Sequence, residues 1–130
     1  MPSEHEKLVQ GVYDAFARKD PAAILESFSP EVEYVQTDLL PWGGRYRGVE
    51  GVQMSLGKLF THIDSRVQAE EMFSAGDQVV VIGRTRGTAH GSGASFDLRV
   101  VHVWTVVNGS IRRLEVYLDT PAMLAALKGS

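Results

Sequence analysis

The stretch "VVHVWTVVNGSIRRLEVYLDT", residues 100–120, sets a histidine, His102, and a carboxylate, Glu115, inside two runs otherwise rich in Val and Leu. Asn108-Gly109 between the runs signals a two-residue hairpin turn, because these residues tolerate the positive φ such a turn needs. With that turn Val107 faces Ser110, and stepping outward sets Trp104 against Arg113, His102 against Glu115 and Val100 against Tyr117. Opposed residues share a face. One face is then predicted to carry Val100, His102, Trp104, Val106, Ile111, Arg113, Glu115 and Tyr117. The other carries Val101, Val103, Val107, Leu114, Val116 and Leu118, with Thr105 and Arg112. A carboxylate beside an imidazole orients the ring and favours its charged form. In an apolar cavity that pair can move a proton to or from a substrate. The same pair also reads as a structural ion pair, and a one-residue slip in register would split it between faces.

Other residues have chemical potential of a weaker kind. Asp38 follows the first strand in a rim loop, as a base or as a solvated turn residue. Tyr13, Tyr34 and Tyr46 can donate hydrogen bonds to a ligand, or pack in the core with a polar tip. Arg45 and Arg47 could steer an anion or sit on the surface beside a glycine turn. His5, His62, His90 and His102 lack the H-E-x-x-H or H-x-x-E-H spacing of a metal site, so no metal is expected. "GTAHGSG" has glycines but no strand-to-helix context, and reads as a hairpin turn, not a phosphate loop. If Ser92-Gly93 make that turn, Gly83 lies opposite His102, with Thr85 and Gly87 on the same face, leaving space above the ring.

These side chains must be positioned by regular elements, and the hydrophobic periodicity supplies them. Ser3 and Glu6 form a capping box before an apolar stripe at Leu8, Val9, Val12, Tyr13 and Phe16, which predicts a helix ending near Lys19. Asp20-Pro21 opens a short second helix buried through Ile24, Leu25 and Phe28 and stopped by Pro30. "EVEYV", 31–35, alternates as a strand. Residues 36–48 read as an irregular loop on their Pro and Gly content. Its apolar Leu39, Leu40, Trp42 and Tyr46 mean that it caps the core or rims a pocket. Val52, Leu56, Leu59 and Phe60 predict a third helix over 49–62. Strands follow at 66–74, 78–90, 94–107 and 110–119, and Thr120-Pro121 opens a terminal helix packed by Met123, Leu124 and Leu127. The order predicts an α+β domain, with helices on one face of a curved antiparallel sheet and a cavity between the layers.

A chain of 130 residues suits a single domain with one core, over 1–130. It is 44% hydrophobic and 22% charged, with a net charge of -3 and no basic run, which argues against nucleic acid or an anionic membrane as a partner. There is no cysteine, which excludes disulfides and thiolate catalysis. No stretch approaches the roughly 18 apolar residues of a membrane span. The charged start "MPSEHEKLVQ" lacks the apolar run of a signal peptide, so a cytoplasmic protein is the simplest expectation.

Three stretches carry a family likeness: "VYDAFARKDPAAILESFSPEVEY", "GGRYRGVEGV" and "HVWTVVNGSIRRLEVYLDT". They resemble the SnoaL-like branch of the nuclear transport factor 2-like superfamily, which includes ketosteroid isomerase, over nearly the whole chain. The resemblance implies a cone-shaped α+β barrel, an apolar cavity, frequent dimerisation through the sheet, and often acid–base catalysis without a cofactor. It also covers binding and scaffold proteins, so the fold leaves function open. Against the ketosteroid isomerase pattern three positions differ. Val12 stands at the tyrosine oxyanion donor with Tyr13 one step off, Gln36 stands at the carboxylate base with Asp38 two residues later, and His102 stands at the protonated Asp. The polyketide cyclase pattern is closer, with His102 matching its late-strand histidine and Glu115 near its acid.

The resulting expectation is an acid–base enzyme of the isomerase, cyclase or dehydratase type that needs no cofactor. It would act on a small, largely apolar carbonyl compound, with His102 as acid/base and Glu115 orienting it. Tyr13, Tyr34, Gln36, Asp38, Trp42, Tyr46, Trp104 and Tyr117 are the expected ligand contacts. The alternatives are a binding protein or a scaffold of the same fold. The valine-rich face of the hairpin is expected to pair with a second copy of the chain.

Overall fold

The computed structural model describes residues 3–129. Helix α1 (Glu4–Ala17) starts where the sequence says: Ser3 is its N-cap, and the Ser3 Oγ accepts from the Glu6 backbone N–H at 3.1 Å. Helix α2 (Pro21–Leu25) is a single turn, capped by the Asp20 side chain. It is shorter than the apolar spacing suggests because strand β1 (Phe28–Gln36) has already begun, with Phe28 and Pro30 inside it. Pro30 therefore sits in a strand and does not end a helix.

The loop over 36–48 is only partly irregular. Its second half forms strand β2 (Gly44–Arg47), antiparallel to β1 with Tyr34 opposite Tyr46. Pro41 and Gly43 hid this short strand; they belong to the turn before it, where the Gly43 backbone N–H donates to the Leu40 carbonyl at 2.9 Å. Helix α3 (Gly48–His62) runs directly into β3 (Ile63–Ala75), which starts earlier than its alternation suggests. Strands β4 (Gln78–Ala89), β5 (Ser95–Val107) and β6 (Ser110–Leu118) and helix α4 (Thr120–Lys128) complete the chain.

The six strands form one curved, unclosed sheet in the order β2-β1-β6-β5-β4-β3. The sheet is mixed, not wholly antiparallel, because β1 runs parallel to β6. Helix α1 packs on β3 and β4, α3 on β1, and α4 on the β4–β5 end. All helices lie on one side, in the cone-shaped α+β arrangement expected. Val9, Val12, Ile24, Val32, Val52, Val79, Val106 and Ile111 fill the space between the layers.

The Asn108-Gly109 turn forms as predicted, with φ of 52° and 75° and Val107 opposite Ser110. The register then changes. Val106 pairs with Ile111, but Thr105 pairs with Arg113, so Arg112 is an extra residue on β6. Such a bulge turns every later side chain to the opposite face. His102 therefore faces Val116, and Glu115 faces Val103. The expected cross-strand pair of His102 and Glu115 does not form. On β6 the buried residues are Ile111, Leu114 and Val116, while Arg113, Glu115 and Tyr117 point outward. The expectation for β5 holds, with Val100, His102, Trp104 and Val106 all facing the helices.

The β4–β5 connection also differs by two residues from a Ser92-Gly93 turn. Val81, not Gly83, lies opposite His102, though the face is unchanged. Gly83 and Gly87 do not make room above the ring. A Cβ on Gly83 would lie 2.0 Å from the Gln68 carbonyl oxygen, and one on Gly87 would lie 1.8 Å from that of Asp64. Both glycines let the β3 backbone close in where the sheet bends.

Candidate functional site

A cavity opens between the inner sheet face and the helices. Tyr13 and Phe16 of α1, Val52 and Leu56 of α3, and Trp42 of the rim loop line it, with the sheet as its floor. Among the described residues its wall holds no Asp, Glu, Lys or Arg. Its polar members are Tyr13, Tyr34, Gln36, Trp42, Ser65, Thr85, His102 and Trp104.

Three of these are wired together. The Trp104 Nε1–H donates to the Tyr13 Oη at 3.0 Å, and the same oxygen lies 2.5 Å from His102 Nδ1. The Tyr13 ring stacks on His102 at 5.7 Å and meets Trp104 edge-on. All three side chains are at least nine-tenths buried. Burial pushes the His102 pKa down to about 4 and raises that of Tyr13, so near neutrality both are uncharged. Proton accounting then fixes the tautomer. Tyr13 accepts from Trp104 and must place its own O–H on an acceptor, and Nδ1 is the acceptor within reach. The imidazole proton is consequently on Nε2. That nitrogen has no hydrogen-bond partner among the described residues and remains accessible from the cavity. The site presents a neutral N–H donor.

A second polar unit lies on β1. The Tyr34 Oη donates to Gln36 Oε1 at 2.9 Å, and both side chains are buried. Burial raises the Tyr34 pKa to about 12, so the phenol remains a donor. Ser55 in turn donates to the Trp42 carbonyl at 2.9 Å, which ties the rim loop to α3. Trp42 is 1% exposed, and its Nε1 finds no partner among the described residues.

The expected site residues, catalytic and ligand-binding together, thus divide. Tyr13, Tyr34, Gln36, Trp42, His102 and Trp104 line the cavity. Asp38, Tyr46, Glu115 and Tyr117 do not. Asp38 is exposed on the turn. Tyr46 lies edge-on to Tyr34 but donates its hydroxyl to the Gly43 carbonyl at 2.9 Å, under Gly51 of α3. On the outer face the Tyr117 Oη donates to Glu115 Oε1 at 2.6 Å, and Arg113 reaches both Glu115 and Glu33. Glu115 therefore belongs to a surface ion-pair row, and Tyr13 is the residue that orients His102. The sequence carried one sign of this: Tyr13 lies on the buried stripe of a helix that packs over the sheet.

Comparison with known proteins agrees with this architecture. The family model for the SnoaL-like domain matches residues 9–114. An uncharacterized protein of Mycobacterium tuberculosis H37Rv is 34% identical over 118 residues, 88% of each chain. An NTF2-like protein of unknown function from Burkholderia pseudomallei superposes with a TM-score of 0.91 at 32% identity, over 96% of this chain and 98% of that one. TerC, co-crystallised with polyporic acid, superposes with a TM-score of 0.90 at 28% identity, over 97% of this chain and 99% of that one.

Proposed function

Because this chain belongs to the SnoaL-like family, we propose that its cavity is the active site of an isomerase- or cyclase-type enzyme that polarises a carbonyl group. The observation that carries the reading is the Trp104–Tyr13–His102 chain, which aims one neutral N–H donor into an apolar chamber. A carbonyl oxygen at Nε2 would gain a hydrogen bond that strengthens as negative charge develops on it, in surroundings with little water to compete. Loss of a neighbouring C–H proton then becomes easier. Among the described residues the chamber wall supplies no carboxylate, so the proton goes to an oxygen of the ligand itself or to a water that enters with it. TerC, the similar structure crystallised with polyporic acid, supports an oxygen-bearing aromatic ligand. The reading requires no cofactor.

The uncharged wall also favours a second reading, a carrier that binds the same ligand without turnover. Exchange of α-protons separates the two. Cyclic ketones in D2O, followed by proton NMR, should exchange faster with the protein than in buffer, and His102→Ala should cut the protein-dependent rate by about 100-fold. An unchanged rate in His102→Ala would remove His102 from catalysis. Ketone binding with no rate enhancement would favour the carrier.

The same reading has the chain pair with a second copy through the outer sheet face. There Val35, Val80, Ile82, Val101, Val103 and Val107 are half-buried, alternating along their strands with the residues that face the helices.

A further inference from the structure

Gln36 stands in a particular relation to His102. Strands β1, β6 and β5 are neighbours, with Val35 beside Glu115 and Val116 opposite His102. Continuing the β1–β6 register by one residue sets Gln36 beside Val116. Gln36, Val116 and His102 then form one row across three strands on the inner face. Two strand spacings separate the outer members, about 9–10 Å between backbones. Both polar side chains line the chamber, one on each side of the apolar Val116.

The chemistry of the two tips matches. The Gln36 Oε1 is taken by the Tyr34 hydroxyl, which turns the amide Nε2 away from Tyr34. That nitrogen has no partner among the described residues, is not sealed by packing, and belongs to a cavity-lining side chain. His102 likewise offers an N–H. The row is a pair of uncharged donors flanking an apolar step, and such a pair is complementary to two acceptors on opposite edges of one ring. A carboxylate ligand would find no cationic partner in this wall.

We propose that Gln36 is a specificity-determining residue: its amide N–H binds a second acceptor oxygen of a ring-shaped ligand whose first oxygen meets His102. The inference rests on the carbonyl-binding reading of His102 and deepens it by naming the ligand class, an uncharged cyclic compound with two opposed oxygen acceptors. Tyr34 is the positioning residue that keeps the Gln36 donor turned inward.

The test uses cyclohexane-1,4-dione and cyclohexanone as probes, titrated into the full-length protein and followed by the His102 and Gln36 side-chain NMR signals. The dione should bind about tenfold more tightly: one added hydrogen bond gives about fivefold, and two equivalent carbonyls give a further factor of about two. Gln36→Leu should reduce the preference to about twofold. Tyr34→Phe, which keeps the amide but frees its orientation, should give an intermediate ratio and covers the case in which Gln36→Leu does not fold. A wild-type ratio near two, or a tenfold ratio that survives in Gln36→Leu, would overturn the proposal while leaving His102 as the carbonyl donor. If neither ketone moves the His102 signal, the carbonyl-binding reading fails and this proposal falls with it.

Discussion

At the scale of single residues, His102 is governed by burial. Its imidazole gains no compensating carboxylate, so desolvation alone holds it neutral, with a pKa lowered from 6.5 to about 4. The folded state then binds this proton less readily than the unfolded chain does. Stability from this site is fully present above about pH 6.5, declines as pH falls toward 4, and declines no further below that. The full difference is on the order of 3 kcal/mol. Chemical denaturation between pH 4 and 7 should show this slope in the wild type and a weaker one in His102→Asn. Tyr13 is the other decisive residue. Tyr13→Phe strips a buried acceptor from Trp104 and a buried donor from His102, at an expected cost of about 1–3 kcal/mol. Nitrogen-15 NMR of His102 should then show loss of the pure Nε2–H tautomer, which a purely structural defect elsewhere would not produce.

At the scale of elements, one inserted residue decides which side chains the cavity receives. Arg112 is the bulge between the Ile111 and Arg113 pairings. Were the ladder to run on unbulged, with Arg112 opposite Thr105, Glu115 would turn inward and Leu114 and Val116 outward. Deleting Arg112 should therefore straighten the strand and leave the Thr105–Arg113, Trp104–Leu114 and His102–Val116 pairings as they are. The expected outcome is a retained cooperative thermal transition by circular dichroism. Loss of cooperative unfolding in the deletion would show that the packing needs the bulge itself and not only the register. The loop before β2 works on similar terms: Leu40 and Trp42 are buried at its base, and Ser55 fixes it to α3. Of the large apolar residues that made this loop unusual in the sequence, Leu40 and Trp42 pack against the core, Trp42 also walls the cavity, and Leu39 is exposed.

At the scale of the whole molecule, the sheet has two faces with different tasks. The inner face takes the helices and the cavity. The outer face combines half-buried valines with the Glu33–Arg113–Glu115 ion-pair row. If it joins two copies, sedimentation should show a dimer, and Val103→Glu, placed at the middle of that face, should yield a folded monomer. A wild-type monomer would leave the outer face without this role. Among the described residues, no helix is long and apolar enough to cross a membrane.

Local physics made much of this visible in the amino-acid order. The Ser3 and Asp20 caps, the Asn108-Gly109 turn, the apolar stripe of α1 and the inward side of β5 all depend on near neighbours in the chain. Of the residues expected to line the cavity, Tyr34, Trp42, His102 and Trp104 do so, and Tyr46, Glu115 and Tyr117 do not; Gln36 is reached through the family resemblance. Tertiary structure decided what local signals cannot encode. Whether β6 carries a bulge depends on burying Leu114 and Val116 against helices far away in sequence, and that choice separates His102 from Glu115. The pairing of His102 with Tyr13 spans 89 residues and exists only because α1 lies across the sheet. The sequence determined that a histidine would face the chamber; the fold decided that a phenol and an indole, not a carboxylate, would set its proton.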